Sequence, residues 1–308
     1  MKADVPKTNL QLYQRGVQFF SSKFGRASTW LFFGTLAAGT LAYVFQILMG
    51  RMLSPHEYGL FTAMMGLFAL PAPSSTLMMV ISRKVSQYRA KHDDGSITHF
   101  YYWINIRSAI FGSLVFGVFF LFAPQIQLYM KTASIMPVYL LGFLVLTTFM
   151  PIINNAFLQG IQSFLWLSAS GSLWALLRII FSFALVFLGL GVSGALGGAI
   201  LAALFGWIIS YYALYQQLAD GRDKPYLAQH LTFKPMLPVL FANVAFAGMT
   251  QLDILLVNYY FSAQDTGFYA SASILGKAVM YLSGSIAMAL FPMVAEHHAR
   301  SESSLHLL

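Results

Sequence analysis

Apolar runs of about twenty residues alternate along this chain with short polar breaks. At about 1.5 Å per helical residue, such a run is long enough to cross the hydrocarbon core of a bilayer. The pattern predicts spanning helices at roughly 29–50, 60–82, 101–122, 135–157, 165–188, 192–215, 236–261 and 267–292. The second run contains Pro71-Ala72-Pro73. Two prolines so close remove backbone donors and predict a break or kink, either packed against neighbouring helices or lining a cavity. The spans divide the chain into a segment 1–28, a first six-helix lobe 29–215, a linker 216–235, the first two helices of a second lobe at 236–292, and a polar tail 293–308. The expected fold is an all-α polytopic membrane bundle of about eight helices.

One polar break is written twice. Arg51-Met-Leu-Ser-Pro-His-Glu-Tyr-Gly-Leu-Phe61 returns as Tyr259-Tyr-Phe-Ser-Ala-Gln-Asp-Thr-Gly-Phe-Tyr269. Ser54 answers Ser262, Glu57 answers Asp265, and Gly59 answers Gly267. A fixed-offset echo between apolar flanks marks duplicated halves, as in many transporters; two unrelated membrane turns rich in Gly and acids are the plainer alternative. With the same offset Leu70 answers Ala278, so the proline break and Lys277 fall at matching depths.

Composition agrees with the pattern. The chain has 308 residues, 58% hydrophobic and 9% charged, far below the roughly 25% charged residues of soluble domains. The net charge of +8 does not call for nucleic acid, because the basic residues gather in alternate connections. Arg83, Lys84, Arg89 and Lys91 lie in one, and Arg222, Lys224 and Lys234 in another. That asymmetry places both termini and the even-numbered connections in the cytoplasm. Leu10 to Phe24 reads either as an interfacial amphipathic helix or as a tail. There is no cysteine, which removes disulfides and thiolate metal sites.

Four ionisable residues fall inside apolar runs: Arg107, Arg178, Asp253 and Lys277. Each costs ~2.5–3.5 kcal/mol at a helix centre, so each needs a polar surrounding. Arg178 and Lys277 lie near mid-span and are expected to line a cavity. Arg107 lies near the basic end, where it either snorkels to headgroups or joins them. Asp253 is either a counter-ion or a tuning group. Three cations against one anion make a pocket for an anionic group such as a diphosphate. Gln46, Asn105, Asn154, Asn155, Gln159 and Asn243 are read first as helix–helix glue. No catalytic constellation is visible: His297 and His298 are adjacent, Asp93-Asp94-Gly95 reads as a turn, and no phosphate-cradling loop with a Lys is present. No enzyme activity and no cofactor are expected.

The turn 51–61, the basic segment 83–91, the connection Phe157-Leu-Gln-Gly-Ile-Gln-Ser-Phe164, the turn 189–198 and Asp253 followed by 261–269 together resemble the polysaccharide biosynthesis or oligosaccharide flippase family. That family belongs to the multidrug/oligosaccharidyl-lipid/polysaccharide exporter superfamily. The resemblance implies a transporter of the bacterial inner membrane that carries polyprenyl-diphosphate-linked glycans between leaflets by alternating access. It implies partners in the same pathway, a polysaccharide polymerase and glycosyltransferases. It would give Arg178, Lys277 and Arg107 the diphosphate and Asp253 the tuning of the pocket. Family members have two six-helix lobes, so this chain is expected to be a truncated member. An ion-coupled exporter of small molecules, a membrane glycosyltransferase and a non-transporting remnant are the competing readings. One acid among three bases argues against a cation exporter, and the lack of paired carboxylates beside a large loop argues against a transferase.

Overall fold

The computed structural model describes residues 23–70, 74–222, 224–226 and 237–277, and all its regular structure is helical. In order, the helices are α1 (Lys23–Met52), α2 (Pro55–Ala69), α3 (Ser74–Ala90), α4 (Asp94–Leu121), α5 (Ala123–Met130), α6 (Met136–Gly160), α7 (Phe164–Leu185), α8 (Gly191–Asp220) and α9 (Leu237–Tyr260), followed by α10 at 263–277. The polytopic all-α bundle expected from the apolar runs is therefore the fold. The second predicted span is two helices, α2 and α3, on either side of the proline segment, which lies outside the described residues. The stretch before Lys23, expected as an interfacial helix or a tail, and the residues beyond 277 also lie outside them.

The hub is α6. It packs against α3, α4 and α8, while α7 and α8 form a tight antiparallel hairpin on which α1 leans. The hairpin turn, Val186–Gly191, carries positive φ at Gly189 (86°) and Gly191 (49°), where a Cβ would be strained. Asn154 of α6 accepts from the Tyr101 hydroxyl of α4 (2.9 Å) and donates to Ser210 Oγ (2.9 Å) and the Trp207 carbonyl (3.2 Å) of α8. It is fully buried, so the glue reading suits it.

Two features were not legible as such. The connection 123–134 contains the short helix α5, started by Pro124 in its first turn and ended by Lys131 at φ 53°. Asp93 is a helix cap rather than part of a turn: its Oδ1 accepts from the Ser96 amide (2.9 Å), and α4 runs on from Asp94.

Both basic connections meet at one end of the bundle, hereafter the basic end. There the Thr98 hydroxyl donates to the Leu218 carbonyl (3.2 Å) and Lys224 pairs with Asp94 (2.6 Å). Asp94 holds Lys224 above the ordinary lysine range, mainly through that hydrogen bond. At the opposite, far end the two copies of the repeated turn are built alike. Ser54 Oγ accepts from the Glu57 amide (3.3 Å), and the Glu57 carboxylate accepts from the Ser54 amide (3.0 Å), a reciprocal cap. Ser262 Oγ accepts from the Asp265 amide (3.1 Å) and donates to the Asp265 carboxylate (2.6 Å).

The two turns also touch each other, and do so reciprocally. A methyl on Gly59 would strike the Ala263 carbonyl and the Gly267 amide; a methyl on Gly267 would strike the Pro55 carbonyl. Ala263 and Pro55 are themselves equivalent positions of the repeat, so α2 and α10 cross about a local two-fold direction with glycine on both sides. Buried side chains form two clusters. The far cluster, including Phe45, Met49, Phe61, Met64 and Leu196, takes in Ile254, Leu255 and Ala270 of α9 and α10. The basic-end cluster, including Ile81, Val85, Phe100, Ile153 and Leu218, takes in neither helix.

Candidate substrate cavity

Between the two clusters lies a cavity of about 600 Å³, walled by α2, α3, α6, α7, α8 and α9. Its height follows from the helix directions. Ser170, Trp174 and Arg178 belong to the half of α7 nearer the basic end or to its middle, and Asn243 to Gln251 occupy the corresponding part of α9. Residues on either side of the proline segment, Phe68, Ala69, Leu70 and Ser75, line the wall.

Arg178 is the only cation among the lining residues described. Its guanidinium lies 4.0 Å from the Phe45 ring centroid and 5.6 Å from that of Trp174, with Nη2 3.7 Å from Met65 Sδ. The aromatic faces and the soft sulfur stabilise the charge without neutralising it. Its Nε is buried and makes no hydrogen bond. Carboxamides and hydroxyls supply the rest of the polarity. Asn155 accepts from Ser170 Oγ (2.8 Å), Asn243 donates to Thr76 Oγ1 (2.7 Å), and Thr148, Thr250 and Gln251 add further groups.

The other three ionisable residues go elsewhere. Lys277 and Asp253 face each other, with Nζ 3.9 Å from Oδ1. Asp253 Oδ2 also accepts from the Tyr269 hydroxyl (3.1 Å) and Ser273 Oγ (3.4 Å). This cluster joins α9 to α10 and does not line the described cavity, so the counter-ion reading suits Asp253, and Lys277 is spoken for. Arg107 lies on the outward face of α4, with its guanidinium over Trp103 at 4.0 Å. Of the four ionisable residues, Arg178 is the one among the described lining residues, while Lys277 meets Asp253 and Arg107 lies over Trp103. Depth along a helix sets the height of a charge, whereas the direction around the helix sets its neighbours, and only packing fixes the latter.

Trp174 and Gln251 were missed by sequence reasoning. The signal for Trp174 was its place one helical turn before Arg178, and Gln251 carried no charge to draw attention. Among the described residues no cluster of three or more His, Asp or Glu is placed to hold a metal.

At the far end of the bundle α5 is tied to the end of α9. Lys131, capping α5 in a left-handed conformation, donates from Nζ to the carbonyls of Tyr259 and Phe261 (both 2.8 Å). Those carbonyls end α9 and have no partner within the helix, so the ammonium serves as their C-cap and meets the negative end of the dipole. The Tyr129 hydroxyl donates to the Leu255 carbonyl (3.0 Å), its ring stacks on Tyr259 (5.5 Å), and Asn258 Nδ2 donates back to the Tyr129 carbonyl (3.4 Å). Burial, and then the neighbouring Tyr259, push the Tyr129 hydroxyl above its ordinary range.

A search of curated proteins found no match. Among solved structures the fold is similar to a MOP superfamily transporter from Pyrococcus furiosus, described as having a binding pocket of reverse polarity. The TM-score is 0.50 at 18% identity, over 77% of this chain and 55% of that one. At this identity the likeness shows the fold, and the chain spans little more than half the length of that transporter. The family profile for polysaccharide biosynthesis proteins matches residues 24–298, nearly the whole sequence. With five described stretches long and apolar enough to cross a bilayer, one of them the α7–α8 hairpin, the protein is a multi-pass membrane member of the polysaccharide biosynthesis protein family.

Proposed function

We propose that this protein works as a flippase, translocating a polyprenyl-diphosphate-linked oligosaccharide by alternating access, with Arg178 as the anchor for a phosphoryl group. The observation that carries this reading is a guanidinium whose Nε is buried and unbonded at the wall of a 600 Å³ cavity, with no carboxylate among the described lining residues. A fork of N–H donors in a low-dielectric site is the recognition chemistry for a phosphate ester. The surrounding carboxamides, hydroxyls and the Trp174 face suit sugar hydroxyls and sugar rings. Membership of the polysaccharide biosynthesis family supports a glycan over a small drug.

In this reading the basic end faces the cytoplasm of a bacterial inner membrane, as the bias of Lys and Arg in the connections favours. The conformation described then has its cavity at the middle of the helices, with α5 tied to the end of α9 on the outer side. Transport requires the far seam to part and the basic end to close. Whatever polymerase and glycosyltransferases act with it would supply the lipid-linked glycan on one side and consume it on the other.

Arg178→Ala should lower translocation of a lipid-linked oligosaccharide in proteoliposomes at least tenfold, with folded protein at wild-type level, because one charge-assisted interaction is worth ~1.5–3 kcal/mol. Arg178→Lys should recover only part of it, since a point charge replaces a fork. Wild-type rates in Arg178→Ala at equal protein amounts would sink the anchor role.

A further inference from the structure

Arg107 is one of three in-span ionisable residues that do not line the described cavity, and no residue of α4 is among the described lining. Its neighbours on the helix surface are Ile106, Ile110, Phe111 and Leu114, each more than half exposed. Such a face is in contact with lipid. A guanidinium there is costly unless it reaches an anion or water. The side chain is turned back onto Trp103, one helical turn nearer the basic end, which brings the charge toward headgroup level. Arg222, from the start of the linker after α8, donates to the hydroxyl of Tyr102, the position before Trp103 (3.2 Å), and is itself exposed.

Two described acids at this end are engaged otherwise: Asp93 caps α4 through the Ser96 amide, and Asp94 accepts from Lys224 (2.6 Å) and Gln217 (3.1 Å). Among the described residues no carboxylate lies within ion-pair distance of Arg107. Arg107 thus rests on Trp103 at an exposed face with no described counter-ion.

We propose that Arg107 and Trp103, with Arg222 beside Tyr102, form a surface site for the phosphate of an anionic phospholipid from the surrounding bilayer. The indole face occupies one side of the Arg107 guanidinium, and the in-plane N–H groups remain for phosphate oxygens. The exposed Ile106, Ile110 and Phe111 provide the apolar surface along which acyl chains would lie. The site is independent of the transport reading, because it shares no residue with the cavity.

The test is native mass spectrometry of the full chain in detergent, titrated with phosphatidylglycerol and with phosphatidylcholine of the same acyl chains. Wild type should bind phosphatidylglycerol about tenfold tighter, and Arg107→Gln should bring the two within about twofold. If that variant yields no folded protein, Trp103→Leu removes the platform and should lower the preference severalfold, while Arg107→Lys keeps part of it. Equal binding of the two lipids by wild type, or an undiminished preference in Arg107→Gln or Trp103→Leu, would overturn the proposal. So would displacement of phosphatidylglycerol by a polyprenyl diphosphate at stoichiometric amounts, which would assign the arginine to the substrate route instead.

Discussion

The two ends of the bundle hold α9 and α10 differently. At the far end they are sewn to the rest by a shared apolar cluster, by a glycine-on-glycine crossing of α2 and α10, and by the Lys131 and Tyr129 hydrogen bonds to the end of α9. At the basic end the buried cluster takes in no described residue of α9 or of α10, which is described only as far as Lys277, and a hydrogen bond from Asn243 to Thr76 ties α9 to α3. The cavity borders the first half of α9. A seam so closely packed is where a motion of α9 and α10 would pivot or part.

The comparison can be broken most forcefully at Gly267. A valine there has no room against the Pro55 carbonyl, so backbone must move. Gly267→Val should cost about 2–3 kcal/mol and lower the melting temperature in detergent, whereas Gly117→Val, where nothing lies within 4 Å, should leave packing intact. A Gly267→Val protein as stable as wild type would mean that the seam is not tightly closed.

The main bundle can be loosened without touching the seam. Asn154→Leu removes three hydrogen bonds and leaves Tyr101 and Ser210 short of a partner, a loss of roughly 1–2 kcal/mol given the modest worth of such bonds in membranes. Thermal unfolding should report that loss, while accessibility of the far end stays unchanged.

Lys131→Met tests the clamp more gently. It frees the Tyr259 and Phe261 carbonyls, at roughly 1 kcal/mol, and should shift the far end toward opening. Because the chain has no cysteine, Thr266→Cys, fully buried behind the seam, is a clean reporter. Its labelling by a polar maleimide should rise severalfold in the Lys131→Met background; no change would show that the ammonium does not hold the seam.

The smallest effect belongs to the basic end. Lys224 has its pKa raised by Asp94, so the pair stabilises the protein fully below the ordinary lysine value of 10.5 and loses that contribution as pH rises through the higher folded value. The pair is exposed, and the change in melting temperature above pH ~10.5 should be slight and absent in Asp94→Asn.

Particular residues explain how far sequence reading reached. Six apolar runs and the broken one were legible because membrane crossing imposes length and apolarity on each helix separately. The twin turns were legible because capping is local chemistry, repeated at a fixed offset. The costly charges were legible, but not their neighbours: Arg178 lines the described cavity, Lys277 meets Asp253, and Arg107, for which snorkelling stood open, lies over Trp103. A helical projection of 103, 107, 110, 111 and 114 could have set Arg107 on an apolar outward face. Nothing local pairs Lys277 with Asp253, which are 24 positions apart.

The sequence by itself determined the membrane habitat, the helical elements, the break at the prolines and the presence of a few costly charges, since each depends on residues near one another in the chain. Only the tertiary structure decided which charge meets the cavity, which is cancelled and which faces lipid. It also decided that the repeated turns clasp each other at the far end. Those outcomes depend on how helices are rotated and paired, and rotation is chosen by packing across distances of more than a hundred residues.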